Sequence, residues 1–269
     1  MGNVVGTAPT PDHRPARGLT FTPIAGVPHL SPGDDLAAVI AEAVARDGVV
    51  LEAGDVVILA QKIVSKAAGL IVDLETITAS PRAIELGVTT LKDPRFVEVV
   101  LRESVAVVKA AANVLITEHI CGCVVANAGV DRSNVDPRMG GEPVLLLPRD
   151  PDAAARALRA QLSAAFGCEV AVIINDSWGR PWRMGTTGAA LGVAGIEALH
   201  DYRGRADLFG RELQIAIEAV ADELAGAANI LMGQGAEGAP VVVVRGFRST
   251  GTGGSARDLL RPRESDLYR

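Results

Sequence analysis

Apolar runs of strand length alternate along this chain with longer stretches whose apolar positions recur every three or four residues. The helical repeat at 36–45 follows Gly33-Asp34-Asp35, and an acidic start of this kind suits a helix N-terminus. The run at 55–60, apolar after Asp55, predicts a buried strand. Helical periodicity returns at 94–103 and again at 151–166, where Pro151 falls in the first turn. Residues 105–108, 114–117 and 123–127 predict a β-rich stretch, 170–174 a further strand and 241–244 a last one. Small residues dominate 185–199, which predicts a closely packed helix or loop–helix, and 208–228 carries the longest helical pattern. The irregular mixture of strands and helices predicts an α/β fold of the mixed α+β kind. No fixed-period repeat is apparent.

Composition narrows the picture. At 269 residues and 48% hydrophobic content the chain can build one large core or two modest ones, and with 3% aromatics that core must be mostly Ala, Val, Leu and Ile. A net charge of -6 and the lack of a basic stripe argue against a nucleic-acid polymer as partner, while leaving room for a nucleotide neutralised by a metal ion and a few local cations. No uncharged apolar run approaches membrane-spanning length, so no membrane is expected. The three cysteines do not make a disulfide framework, and a reducing cytoplasm fits best. Cys121-Gly122-Cys123 has two readings, a soft-metal chelate or small buried thiols; without a second cysteine pair or a histidine pair nearby, the thiols are favoured. Residues 1–18 lack the apolar segment of a secretion signal and read as a disordered leader, and 249–269 read as a linker-like tail.

The chemistry concentrates where apolar runs stop. After 170–174 come Asp176-Ser177-Trp178-Gly179-Arg180 and Arg183, a carboxylate and hydroxyl beside two guanidinium groups. A second apolar run leads into Asn127-Ala128-Gly129-Val130-Asp131-Arg132-Ser133-Asn134. In α/β proteins ligands gather beyond the carboxyl ends of strands, so Asp131 and Asp176 are candidates to share divalent ions, for which Mg²⁺ and Mn²⁺ suit the hard oxygen set. The competing reading is that each aspartate caps a turn or helix. Met232-Gly233-Gln234-Gly235-Ala236-Glu237-Gly238 is a glycine-rich loop whose backbone can cradle phosphate, with Gln234 and Glu237 as oxygen donors; a plain connector is the alternative. Lys62 and Lys66 follow the run at 55–60 and can meet phosphate as point charges, or stand on a solvated surface. No GxxxxGK[ST] loop occurs, and no serine has a visible histidine partner.

Together, Gly33-Asp34-Asp35-Leu36, Ile63-Val64-Ser65-Lys66, the run from Asn127 to Asn134, Asp176-Ser177-Trp178-Gly179-Arg180 and Asn229-Ile230-Leu231-Met232-Gly233 resemble, in that order, the coenzyme F420-0:L-glutamate ligases, also called F420:gamma-glutamyl ligases. The stretch from Tyr202 to Glu212 and Val244-Arg245-Gly246 agree. The resemblance implies that residues 19–248 form an F420-ligase-like mixed α/β fold that works as an intertwined homodimer. It implies a GTP-dependent ligase that adds L-glutamate to coenzyme F420-0 or its dehydro form, with a pair of Mg²⁺ or Mn²⁺ ions per site and potassium stimulation. Its metal ligands carry over onto Asp131, Asp176, Ser177 and Gln234. Its GTP contacts carry over onto Val27, Pro28, His29, Leu30, Gln61, Lys66, Asn134, Met232, Gly233, Gly235, Ala236, Glu237, Gly238 and Ala239. Hydroxyl residues are frequent in the family at Gln61 and Lys62, threonine at Ser177, glutamate at Gln234 and an aliphatic residue at His29. Arg180 and Arg183 are the residues expected to hold the transferring group or a substrate carboxylate. The rival readings are a nucleotide-dependent ligase acting on a different carboxylic acid and a non-catalytic nucleotide- or deazaflavin-binding module.

Overall fold

The structure is a computed structural model, and it describes residues 18–135 and 141–266. The expected leader lies outside the described residues except for Gly18.

Local signals set most helix starts. After strand β1 (Thr20–Ile24), helix α1 (Leu36–Arg46) is capped by Asp35, whose Oδ1 accepts the Ala38 N–H at 3.0 Å. The apolar run β2 (Val56–Ala60) passes directly into α2 (Gln61–Ala67). Strand β3 (Ile71–Asp73) is followed by two helices that each begin with a capped proline, α3 (Pro81–Thr90) behind Ser80 and α4 (Pro94–Arg102) behind Asp93. The predicted β-rich stretch is present as β4 (Ser104–Ala111), β5 (Val114–His119) and β6 (Val124–Ala126), an antiparallel meander. Strand β7 (Pro143–Leu145) pairs with β3. Helix α5 (Pro151–Phe166) is capped by Asp150 and ends at left-handed Gly167. Strands β8 (Ala171–Arg180) and β9 (Arg183–Ala194) form a long hairpin, and the short pair β10 (His200–Asp201) and β11 (Ile217–Glu218) brackets an extended arm. Helix α6 (Val220–Met232) and strand β12 (Val241–Arg245) complete the order.

The main sheet runs β1-β12-β2-β8-β9, with β2 and β8 parallel and the other neighbours antiparallel. Its central strands are apolar on both faces, as expected of strands covered on both sides. Val57, Leu59, Val172, Ile174 and Val243 face α1 and α5. Val56, Ile58, Ile173, Val242 and Val244 face α6. A third core joins α3 and α4 to the meander through Leu86, Phe96, Val97, Val100 and Leu115. The architecture is mixed α/β, as expected.

Three expectations are corrected. Residues 185–199 are not a helix; most of them lie in β9, paired with β8. Their small side chains let the strand pass close under α6: a Cβ built on Gly188 would sit 2.4 Å from the Ala225 carbonyl oxygen. The strand expected over 170–174 runs on to Arg180, so Asp176 and Ser177 lie inside a strand and not beyond its end. The helical pattern at 208–228 is helical only from Val220 onward. Before it, the Asp207 carboxylate accepts the N–H groups of Phe209 and Arg211 and closes a turn, and the apolar Leu208, Phe209 and Ile215 stand almost fully exposed.

The tail read as linker-like makes defined contacts. Ser255 caps a short 3₁₀ turn (Ala256–Leu259) in a capping box. Buried Asp152 of α5 accepts hydrogen bonds from Ser255 Oγ (2.6 Å), Ala256 N (2.9 Å) and Val193 N (2.8 Å), tying tail, helix and β9 together.

Candidate active site

The site begins where β8 turns polar. Asn175, Asp176 and Ser177 follow four apolar residues of one strand, and each meets a different neighbour. Buried Asn175 donates through Nδ2 to Asn229 Oδ1 at 3.1 Å, and Ser177 Oγ donates to the same oxygen at 3.1 Å. Asn229 comes from α6, held close by the glycine approach of β9. Gln234, just past α6, donates through Nε2 to Ser177 Oγ at 2.8 Å. Ser177 and Gln234, both expected metal ligands, are therefore adjacent.

Asp176 is held from its own strand. Its Oδ1 accepts the Ser177 N–H at 2.8 Å and its Oδ2 accepts the Trp178 indole N–H at 2.9 Å. Burial pushes its carboxyl above the usual carboxylate range, against the pull of those donors and of the Lys62 charge, and the negative charge of Asp131 pushes it further up. The two aspartates, distant in sequence, thus lie within electrostatic reach of each other.

Asp131 arrives by a tight turn. Asn127, Ala128 and Gly129 all have positive φ, and a Cβ on Gly129 would strike the Leu147 side chain at 2.4 Å, so the turn packs where glycine is needed. Backbone bonds to Leu145 in both directions (3.0 and 2.8 Å) then fix the Asp131 main chain against β7. The carboxylate accepts the Ser133 N–H at 2.7 Å and the Ser133 hydroxyl at 2.9 Å, and pairs with Lys62 at 2.7 Å. Burial works to raise this carboxyl, but Lys62 and Ser133 outweigh it and hold it below the usual range. Lys62 of α2 also donates to Ser133 Oγ.

The remaining expected residues are spread over several elements. The glycine-rich loop is anion-seeking: Glu237 Oε2 accepts the Gly235 N–H at 2.8 Å, and the backbone N–H groups of Glu237, Gly235 and Gln234 hold this carboxyl below its usual range. Met232 is buried, while Gly235, Ala236, Glu237 and Gly238 are exposed and Gly233 and Ala239 partly so. A Cβ on Gly233 would meet the Glu237 side chain at 2.1 Å, so the loop folds tightly over that carboxylate. Lys66 is half-buried in the last turn of α2, and Asn134 is exposed in a left-handed conformation close after Asp131. Val27, Pro28, His29 and Leu30 form the loop into α1, with Pro28 and His29 exposed and Leu30 buried; Gly33 N–H donates to the Ala67 carbonyl and ties that region to α2.

Gln61 is turned inward. It is buried, and its amide donates to Ser65 Oγ (2.5 Å) and the Leu146 carbonyl (3.1 Å), which leaves its side chain engaged by the protein. Arg180 and Arg183 face each other across the β8–β9 tip; Arg180 Nη1 is buried without a hydrogen-bond partner, and Arg183 is exposed. A buried guanidinium nitrogen without an acceptor is costly, and it suits an anionic oxygen.

Sequence reasoning did not assign roles to Trp178, Asn175 or Asn229, nor pair Lys62 with Asp131. Asn175 was open to notice as a polar residue at the end of an apolar run. The Lys62–Asp131 pair joins segments far apart in sequence and leaves no local signal.

Fold and site together define a class: mixed α/β proteins that bring carboxylate, hydroxyl and amide oxygens against a glycine loop suited to an anion. The chain belongs to the F420-0:gamma-glutamyl ligase family, whose profile matches residues 26–246. It is 43% identical over 254 residues to a coenzyme F420:L-glutamate ligase of Methanothermobacter thermautotrophicus, covering 94% of this chain and 99% of the relative. A protein of the same name from Methanocaldococcus jannaschii is 45% identical over 219 residues, covering 81% and 86% of the two chains. One from Methanopyrus kandleri is 44% identical over 256 residues, covering 93% and 98%.

Proposed function

We propose that this chain joins L-glutamate to coenzyme F420-0 through an amide bond, with GTP as phosphoryl donor. The family description supplies the acceptor F420-0, and the relatives' names supply coenzyme F420 and the amino acid. The observation that carries the reading is the approach of Asp131 to Asp176, with Ser177 and Gln234 alongside. Asp176 is raised both by burial and by Asp131, so this corner is short of positive charge. Its donors are all oxygens once the Gln234 amide presents its carbonyl, which fits Mg²⁺ or Mn²⁺. Asp131, Asp176, Ser177 and Gln234 would hold such ions, whose chemistry there is to neutralise charge on phosphate oxygens.

In the reaction a carboxylate oxygen of the acceptor attacks the γ-phosphorus of GTP, and the bond to the GDP oxygen breaks. The acyl phosphate then takes the glutamate amine at its carbonyl carbon; phosphate leaves and the nitrogen loses a proton. The chain's own work is placement and charge. The amides of the glycine-rich loop hold phosphate oxygens once Glu237 swings out. Lys66 pairs with the triphosphate, and Arg180 offers its buried Nη1 to the transferring group or to a substrate carboxylate. Potassium stimulation is expected from the same family resemblance. A homodimer is supported by the arm between β10 and β11, where Leu208, Phe209 and Ile215 are 96%, 95% and 89% exposed, an apolar set that a second copy would cover. Among the described residues no helix is long and apolar enough to cross a membrane.

The test is product detection by mass spectrometry after incubation with F420-0, L-glutamate, Mn²⁺ and either GTP or ATP. A product heavier by one glutamyl unit, formed faster with GTP, is expected. No product with either nucleotide overturns the reading, and equal rates overturn the guanine preference.

A further inference from the structure

A second group of ligating side chains lies behind the site, in the turn between β5 and β6. Gly122, with φ +99, lets the chain reverse: Gly122 N–H donates to the His119 carbonyl at 2.8 Å and His119 N–H to the Cys123 carbonyl at 2.8 Å. This reversal stacks the two thiols, with Cys121 Sγ and Cys123 Sγ 3.4 Å apart. One ring nitrogen of His119 and both sulfurs all lie within 4.8 Å of one another. Two thiolates on one tetrahedral zinc lie about 3.8 Å apart, so the pair is a few tenths of an ångström from a chelating geometry.

The histidine is oriented as a metal ligand would be. His119 is fully buried. Its Nδ1 is on the cysteine side, where it accepts the Cys121 N–H at 3.0 Å. Its Nε2 has no hydrogen-bond partner, and the Glu103 carboxylate faces it at 3.8 Å. Glu103 is itself buried and anchored by Arg149 at 2.8 Å. Metal-bound imidazoles characteristically direct the second ring nitrogen at a carboxylate. Two thiolates and a dication sum to zero charge, which suits so enclosed a place. Beside the thiols, Pro151, Trp178, Leu191 and Leu260 line a half-open cavity of about 20 Å³, room for one water as a fourth ligand.

We propose that His119 Nδ1, Cys121 Sγ and Cys123 Sγ bind one thiophilic dication of the zinc class, in exchange for the Cys121 N–H bond to Nδ1. This proposal stands apart from the ligase reading, because its test needs no turnover. Reduced full-length protein is titrated with Co²⁺, a spectroscopic stand-in for zinc, in a large excess of Mg²⁺ that fills any hard oxygen site. Thiolate-to-cobalt charge-transfer absorption saturating at one equivalent, and bleached by one equivalent of Zn²⁺, is expected. Cys121→Ser/Cys123→Ser should abolish the band while keeping the wild-type circular dichroism spectrum. Glu103→Gln should keep the band but weaken Zn²⁺ affinity about tenfold or more. Zn²⁺ should raise the melting temperature of wild type and leave that of the double variant unmoved. No charge-transfer band in the wild type overturns the site, as does a band of equal strength in the double variant.

Discussion

The candidate active site has two sides built on different principles. On one, β8, β9 and α6 place Asn175, Ser177 and Asn229 by close backbone approach, with Gly188 against Ala225 and Asn175. On the other, the loop after β6 places Asp131 by turn geometry and a lysine from α2. The packed side leaves Asp176 without a basic partner and its carboxyl raised; the loop side gives Asp131 Lys62 and holds it low. Packing fixes position without supplying charge, and the Lys62 charge on the loop side only partly offsets the rise at Asp176. Under the proposed metal reading, Asp176 would take the cation unopposed, while Asp131 already has Lys62, which an incoming ion would displace or share.

The largest effect should come from removing the charge on the packed side. Asp176→Asn keeps the size; its amide oxygen accepts one of the two N–H donors and its NH2 group forfeits the other, a loss of about 1–3 kcal/mol that leaves folding retained. The ligation rate should fall on the order of a hundredfold or more, the scale seen when one group stabilising transition-state charge is lost. Steady-state kinetics at saturating Mn²⁺ checks it; a near wild-type rate would remove Asp176 from the metal site.

Next comes the packing itself. Gly188→Ala places a Cβ 2.4 Å from the Ala225 carbonyl oxygen and 2.6 Å from Asn175 Oδ1, contacts no Cβ tolerates. The strand or α6 must shift, at about 2–3 kcal/mol for overpacking of this kind. In a chain of this size that lowers the melting temperature by about 5–10 °C in a thermal scan. The same change at Gly167, where nothing lies within 4 Å of a Cβ, meets only the strain of a left-handed φ of +67 and should cost about 1 kcal/mol. Equal losses at the two positions would mean that close approach is not what holds the packed side.

How much of this was legible in the sequence follows the same division. Pro151 announces the first turn of α5; Asp150 and Gly167, which cap its two ends, are equally local signals that the sequence reading did not use. Asp176-Ser177 stood out because polar groups interrupted an apolar run that packing alone explains. The strand β9 was not legible: Gly188, Ala189, Ala190 and Gly192 carry no strand propensity, and their reason lies in α6 and in Pro151, whose carbonyl oxygen would sit 2.4 Å from a Cβ on Gly192. The arm before α6 misled because Leu208, Phe209 and Ile215 match helical spacing by chance, while the Asp207 turn decides the backbone. Gln61 carried the resemblance to a nucleotide contact, yet its side chain is committed to Ser65 and Leu146.

The smallest expected effect sharpens the contrast from the loop side. Lys62→Met removes the cation from Asp131 and keeps much of the side-chain volume. The pair is partly exposed, with 28% and 41% of the two side chains open to solvent, so its loss should cost folding no more than about 1 kcal/mol. Function should respond in a direction that only competition explains. With no lysine to displace, Asp131 is available to an incoming ion, and the half-saturating Mg²⁺ concentration should fall by about fivefold, the factor that 1 kcal/mol represents. The maximal rate should drop if Lys62 also meets phosphate, so the two parameters are read separately from Mg²⁺ titrations at fixed GTP. A rise in the half-saturating concentration would show that Lys62 organises Asp131 for the metal instead of competing with it, and the assignment of loop-side neutralisation to this lysine would be reversed.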